Sequence, residues 1–168
     1  MVRVDIESIV MASAPVPSLI VLRERSTSDA DDAPQRSLSI QTGSYEAASI
    51  GHGIEQGNLT RPITADISLS LITKLGGKLE RVEIDRMDAP TFMADLVLSD
   101  ADGKEMRIDS RPSDALALAV RANAPIFVED DVMNRAGSTS APNTDSADEQ
   151  AELEQFDKFV QTLTPDDF

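Results

Sequence analysis

IDSRPSDALALAVRANAPIFV, residues 108–128, is the stretch from which the fold of the chain is read. Its left end completes an apolar alternation, Met106 and Ile108. Its right end, Ile126 to Val128, is a short apolar run suited to a strand. Between them, Pro112 to Ala122 predicts a helix, with proline in the first turn, where a missing N–H costs little. Ala115, Ala117, Ala119 and Ala122 keep that helix narrow enough to lie close on a sheet. The unit is a strand, a core helix and a short closing strand.

Upstream, Phe92, Ala94, Leu96 and Leu98 alternate strictly, and Leu79, Val82 and Ile84 precede them. The turn at Asp100 to Gly103 then leads to Met106, which makes a three-strand meander. Before it, Thr64 to Leu75 reads as a helix with Thr64 as N-cap, Ile67, Leu71, Ile72 and Leu75 as the buried stripe, and Gly76-Gly77 as the stop. Another helix is predicted over Tyr45 to Gln56, carrying Ala47, Ala48, Ile50 and Ile54 and ending at Gly57 and Asn58. At the start, Val2, Val4 and Ile6 give way to Ile9 and Met11 with a phase change near Ser8, as in a bulged strand. Leu19–Leu22 and Ser37–Thr42 complete an opening three-stranded sheet around a solvated hairpin loop at Arg25–Gln35. The fold class is therefore α+β: mixed or antiparallel sheets from two β blocks, with three packed core helices, over residues 1–133. Residues 134–150 are polar and proline-containing and read as a flexible acidic linker. In 151–168, Leu153, Phe156, Phe159, Val160 and Leu163 mark an amphipathic helix too short to hold alone, suited to a protein partner.

A chain of 168 residues supports one core rather than two. It contains no cysteine, which excludes disulfides and thiolate zinc sites, so any metal takes oxygen ligands. Arg3, Asp5 and Glu7 interrupt the N-terminal apolar pattern, and no apolar run spans a bilayer, so a cytoplasmic protein without a membrane partner is expected. The net charge of −15 is uneven: residues 1–133 carry 13 basic and 22 acidic groups, and 134–168 carry 2 and 8. Such a field repels a phosphate backbone unless a local basic patch or bound cations reverse it.

Three stretches carry a resemblance: Gly43 to Ile50 (GSYEAASI), Arg61-Pro62-Ile63-Thr64 leading to Asp66, and Ile108 to Arg121 continuing through Ala124-Pro125-Ile126. Together they resemble the bifunctional nuclease domain, also called the DNase-RNase domain, over roughly residues 1–133. Leu163 to Phe168 is similar to the tail of many bacterial members. The resemblance implies a homo-oligomeric (dimer or trimer) α+β protein that hydrolyses DNA and RNA with little sequence preference. One departure is specific: where the family has Thr-His-Asp, this chain has Thr64-Ala65-Asp66.

Asp109, Arg111, Ser113 and Asp114 fall at a strand-to-helix junction, where free N–H groups and the helix dipole favour an anion. Equally, Ser110, Ser113 or Asp114 can cap the helix while Arg111 pairs with Asp114. Arg111, Asp114, Leu118 and Arg121 share one helical stripe, which suits either a fork for phosphate oxygens or a buried ion network. The expected catalytic set is Asp109, Arg111, Ser113, Asp114 and Arg121. Hydrolysis without cysteine or paired histidines calls for Mg²⁺ or Mn²⁺, with Glu46, Asp66 and Asp114 as expected ligands. The lone His52 reads as a packing or surface residue. The competing function is a non-catalytic oligomeric regulator or adaptor with an acidic partner-binding tail.

Overall fold

The computed structural model describes residues 1–13, 15–25, 35–55 and 61–139. In chain order the elements are β1 (Val2–Val10), β2 (Ser18–Glu24), β3 (Arg36–Thr42), α1 (Ser44–Glu55), α2 (Thr64–Lys74), β4 (Lys78–Asp88), β5 (Thr91–Ser99), β6 (Glu105–Ser110), α3 (Pro112–Ala122), β7 (Ile126–Val128), α4 (Asp130–Ala136) and β8 (Ser138–Thr139). The two β blocks form one eight-stranded sheet in the order β6-β5-β4-β7-β1-β2-β3-β8. The join is β7, which pairs parallel with β4 and antiparallel with β1. Every other pairing is antiparallel. The bulge expected near Ser8 is the register shift between Ile6 and Ser8 opposite β2. The turn after β5 is held by Asp100, whose Oδ1 accepts from the N–H groups of Asp102 and Lys104 at 3.0 and 2.8 Å.

One core lies on one face of this sheet. Val4, Ile20, Leu22, Leu38, Val82, Ile84, Leu96 and Val128 pack there against Ile50, Leu116, Val132 and Met133 from the helices. Ala115, Ala117 and Ala119 of α3 are buried and Ala122 is partly so, which lets that helix sit close over β4 and β5. Helix α1 comes close to α3 at Gly53, where an added methyl would press on Val120 Cγ2 and the Arg121 guanidinium. Gly53→Ala is expected to destabilise the protein by about 1–3 kcal/mol through overpacking, read as a lower urea midpoint at unchanged m.

Three expectations change. In the expected stripe of α2, Ile72 packs against the core as predicted, but Ile67, Leu71 and Leu75 are exposed; Ala65 and Leu69 join Ile72 on the packed face. The helix carries apolar residues on two faces, and the bulkier set is not the packed one. The short α4 follows β7, so the domain boundary expected at residue 133 falls inside a helix, and the fold continues to Thr139. Among the described residues there are therefore four helices. The expected helix at 151–168, most of the linker, and Gly57 and Asn58 lie outside the described residues.

The opposite face is charged. Asp5, Glu7, Arg23, Arg81, Glu83, Arg107 and Asp95 alternate out of the core there, with Arg23 bonded to Glu7. Glu83, only 3% exposed, accepts from Arg81 Nε at 2.6 Å and from Arg107 at 2.7 Å. Burial pushes its carboxyl up, but the two guanidinium bonds more than offset this and hold it below the ordinary range. Glu24, in a two-point bond with Arg36, is lowered as well. A carboxyl depressed in the fold binds protons less readily than in the unfolded chain. Its stabilisation is therefore present above the unfolded pKa and lost as pH falls through the folded one. Thermal midpoints are expected to hold level at neutral pH and decline below about pH 4.5, and Glu83→Gln should lower the plateau and flatten the decline.

Candidate functional site

The first turns of three helices meet around one cleft. In α1, Gly43 precedes the helix and Glu46 folds back over it; a methyl at residue 43 would collide with Glu46 Oε2. In α2 the cap is Ile63, not Thr64 as the sequence suggested. Its N–H donates to Asp66 Oδ2 at 2.9 Å, and Asp66 thereby anchors that turn. In α3, Arg111 takes an extended conformation at the cap position, with Pro112 as the first helical residue. No side chain caps α3, and Ser110 Oγ donates to the Arg111 carbonyl instead. The expected serine or aspartate cap is thus absent, so the first N–H groups of α3 have no side-chain acceptor.

The cleft, about 600 Å³, is lined by Tyr45, Glu46 and Ser49 from α1, Ile63, Thr64, Ala65 and Ser68 at the start of α2, and Arg111, Ser113, Asp114, Ala117 and Leu118 at the start of α3. Each helix N-terminus carries a partial positive charge, and here three of them share one space. A second cleft, also about 600 Å³, lies on the other side of Arg111, between the end of β3 and the β4–β5 hairpin, with Met87, Pro90 and Phe92 on its wall. Glu46, Arg111 and Ser113 line both. The Arg111–Glu46 contact is therefore the partition between two halves of one groove.

Arg111 is the exposed centre of this arrangement. Its side chain is 65% exposed. Nε and NH2 donate to the two carboxylate oxygens of Asp114 at 2.7 and 3.1 Å, and NH1 donates to Glu46 Oε1 at 3.2 Å. The hydrogen bond to Asp114 and its negative charge raise the guanidinium pKa further. Ser113 is nearly buried at the junction.

Arg121, on the same stripe of α3, is in a different position. Its side chain is 8% exposed. Nε donates to Asp66 Oδ1, and NH1 donates to the carbonyls of Ser49 and Ala117 at 2.9 and 2.8 Å. One guanidinium thus ties α1, α2 and α3 together. The Arg121 bond, followed by the Ile63 N–H, holds the Asp66 carboxyl below the usual range.

The expected site residues are thereby divided. Glu46, Arg111, Ser113 and Asp114 come together at the groove. Asp66 and Arg121 form a clamp beneath it. Asp109 is 81% exposed and pairs across the sheet with Asp95; strand alternation turns it onto the helix-free face, near Arg86. Among the described residues no three His, Cys, Asp or Glu side chains converge as metal ligands. His52 lies in a separate groove against β1, with Ile9 and Met11. Sequence reasoning missed Tyr45 and Phe92 on the groove walls; the signal for Tyr45 was its place beside Glu46 in a helical first turn. Ala65 lines the first cleft, so the position at which the resemblance leads one to expect a histidine faces the same space.

Comparison with known proteins agrees with this architecture. The sequence profile of the bifunctional nuclease domain matches residues 27–141. Uncharacterized proteins of Mycobacterium tuberculosis, from strains CDC 1551 / Oshkosh and H37Rv, are each 35% identical over 137 residues, covering 79% of this chain and 81% of theirs. No described helix is long and apolar enough to cross a membrane. With more than half of its length matched by that profile, the chain belongs to the bifunctional nuclease domain family.

Proposed function

We propose that this protein is a nuclease that hydrolyses phosphodiester bonds of DNA and RNA with little sequence preference, at the groove around Arg111. The observation that carries the reading is the meeting of three helix N-termini with an exposed arginine in one cleft. Backbone N–H groups, helix dipoles and a two-pronged guanidinium are the donors a phosphodiester needs, and they would strengthen as negative charge builds on the phosphorus oxygens.

Mg²⁺ or Mn²⁺ suits this donor set in its partly hydrated form, which uses one or two protein carboxylates and substrate phosphate rather than a full cage. Glu46 and Asp114, which line the cleft, would hold it by giving up part of their contact with the exposed Arg111 guanidinium; Asp66 does not line the cleft and is held by the buried Arg121. When bound, such an ion would lower the pKa of a water and offset charge on the phosphate. The chain's own residues do the rest: Arg111 grips a phosphate oxygen, Glu46 and Asp114 steer the guanidinium, and Asp66 with Arg121 keeps the three helix starts in register. Purified protein given single-stranded DNA or RNA is expected to cut both with Mg²⁺ or Mn²⁺ and to stop in EDTA; cutting that ignores EDTA would contradict the metal assignment, and no cutting under any condition would contradict the function. Gly43→Ala, which displaces the Glu46 carboxylate without touching the groove's other groups, should lower the rate about tenfold or more at nearly unchanged thermal midpoint.

The same reading includes self-association into a dimer or trimer. Ile67, Leu71 and Leu75 on α2 and Met106 and Ile108 on the edge strand β6 are exposed apolar residues, and an edge strand offers free backbone groups to a second chain. Light scattering should give the mass of two or three chains, and Leu71→Glu should reduce it; a monomer at all concentrations would remove this part.

A further inference from the structure

We infer that the groove takes single-stranded nucleic acid, with Tyr45 stacking on a base to one side of Arg111 and Phe92 receiving a base on the other. This rests on the nuclease reading and names its substrate class. Tyr45 is 89% exposed although it is a large ring on a rigid helical first turn, not on a loop. It lines the first cleft, Phe92 lines the second, and Arg111 lines both. The order along the groove is aromatic, arginine, aromatic. A phosphate held on Arg111 would place its two flanking nucleotides toward the two rings, and each cleft is large enough for a small-molecule-sized guest. Bases in a duplex are stacked on one another and paired, so their faces are not available to Tyr45. Unpaired bases present those faces, and stacking on an aromatic side chain tolerates any base.

Charge supports the same conclusion. The chain's net charge of −15 opposes a polyanion, and Arg111 is the only cationic side chain lining either cleft among the described residues. Counterion release from so few contacts is small: a single-stranded ligand held by about one arginine gives a log-affinity against log-salt slope of about −0.7. Stacking therefore supplies the larger share of binding, which a duplex backbone cannot replace.

The sequence has one tyrosine and no tryptophan, so tyrosine emission of the full chain reports on Tyr45 alone. The experiment titrates the full-length protein in EDTA with oligothymidylate, oligouridylate, a duplex of equal length and an abasic oligonucleotide of equal length. Affinities are also read by anisotropy of labelled oligonucleotides for Tyr45→Ala and Tyr45→Phe. Both single strands should quench the emission, while the duplex and the abasic strand bind about tenfold or more weakly. Tyr45→Ala should lose a similar factor and Tyr45→Phe should retain affinity, because the ring and not the hydroxyl stacks. Equal binding of the abasic strand or the duplex, or wild-type affinity in Tyr45→Ala, overturns the inference; if the protein still cuts DNA or RNA with Mg²⁺, the nuclease reading survives it. Absence of both binding and cutting overturns the two together.

Discussion

If the groove is the nuclease site proposed above, Arg111→Ala is expected to lower phosphodiester cleavage by about 10²–10³-fold, the loss typical when a preorganised donor to developing negative charge is removed. The side chain is largely exposed and its partners Asp114 and Glu46 are on the surface or half-buried. Surface pairs of this kind contribute about 1 kcal/mol or less to stability, so the variant should remain folded while it loses activity. Arg111→Lys keeps a charge but not the planar fork, and should recover only part of the rate. The measurement is cleavage of a labelled single strand by matched preparations of wild type, both variants and the double Arg111→Ala/Asp114→Ala variant. Equal rates in all four would show that the cutting is not made at this groove.

The second large effect is on stability. Arg121→Ala leaves Asp66 and the carbonyls of Ser49 and Ala117 without their shared donor. Arg121 is nearly buried while Asp66 is partly exposed and keeps its Ile63 N–H bond, so the main cost is the acceptors left without a donor, about 1–3 kcal/mol. The urea midpoint should fall accordingly at unchanged slope, and Arg121→Lys should restore little, since an ammonium cannot reach three acceptors on three helices at once. The loss should extend to the groove, whose walls are the starts of those helices. A midpoint indistinguishable from wild type would mean that the helices are held by apolar packing alone.

What could be read from the sequence follows from the range of each interaction. The strands of the opening sheet and the meander were legible because alternation is local and one face is buried; the Arg111–Asp114 pair was legible because it spans three residues on one helix. The junction of the two β blocks was not, since β7 has three residues and so no period, yet it sits at the sheet's centre. The short α4 was missed for a similar reason: seven residues bury only Val132 and Met133. On α2, two apolar faces compete, and periodicity cannot say which one the sheet covers. The Arg121–Asp66 clamp joins residues 55 apart, and the convergence of three helix starts is a property of packing alone. Asp109 was grouped with Arg111 by nearness in sequence, while strand alternation sends it to the opposite face.

The central claim is that the space bounded by the starts of α1, α2 and α3 receives a phosphodiester on Arg111. A crystal soaked with Mn²⁺ and a short single-stranded oligonucleotide tests it directly. The account predicts phosphate density on the Arg111 guanidinium and an anomalous manganese peak beside Glu46 and Asp114. Phosphate bound only on the helix-free face, with Arg111 still locked between its two carboxylates, would contradict it.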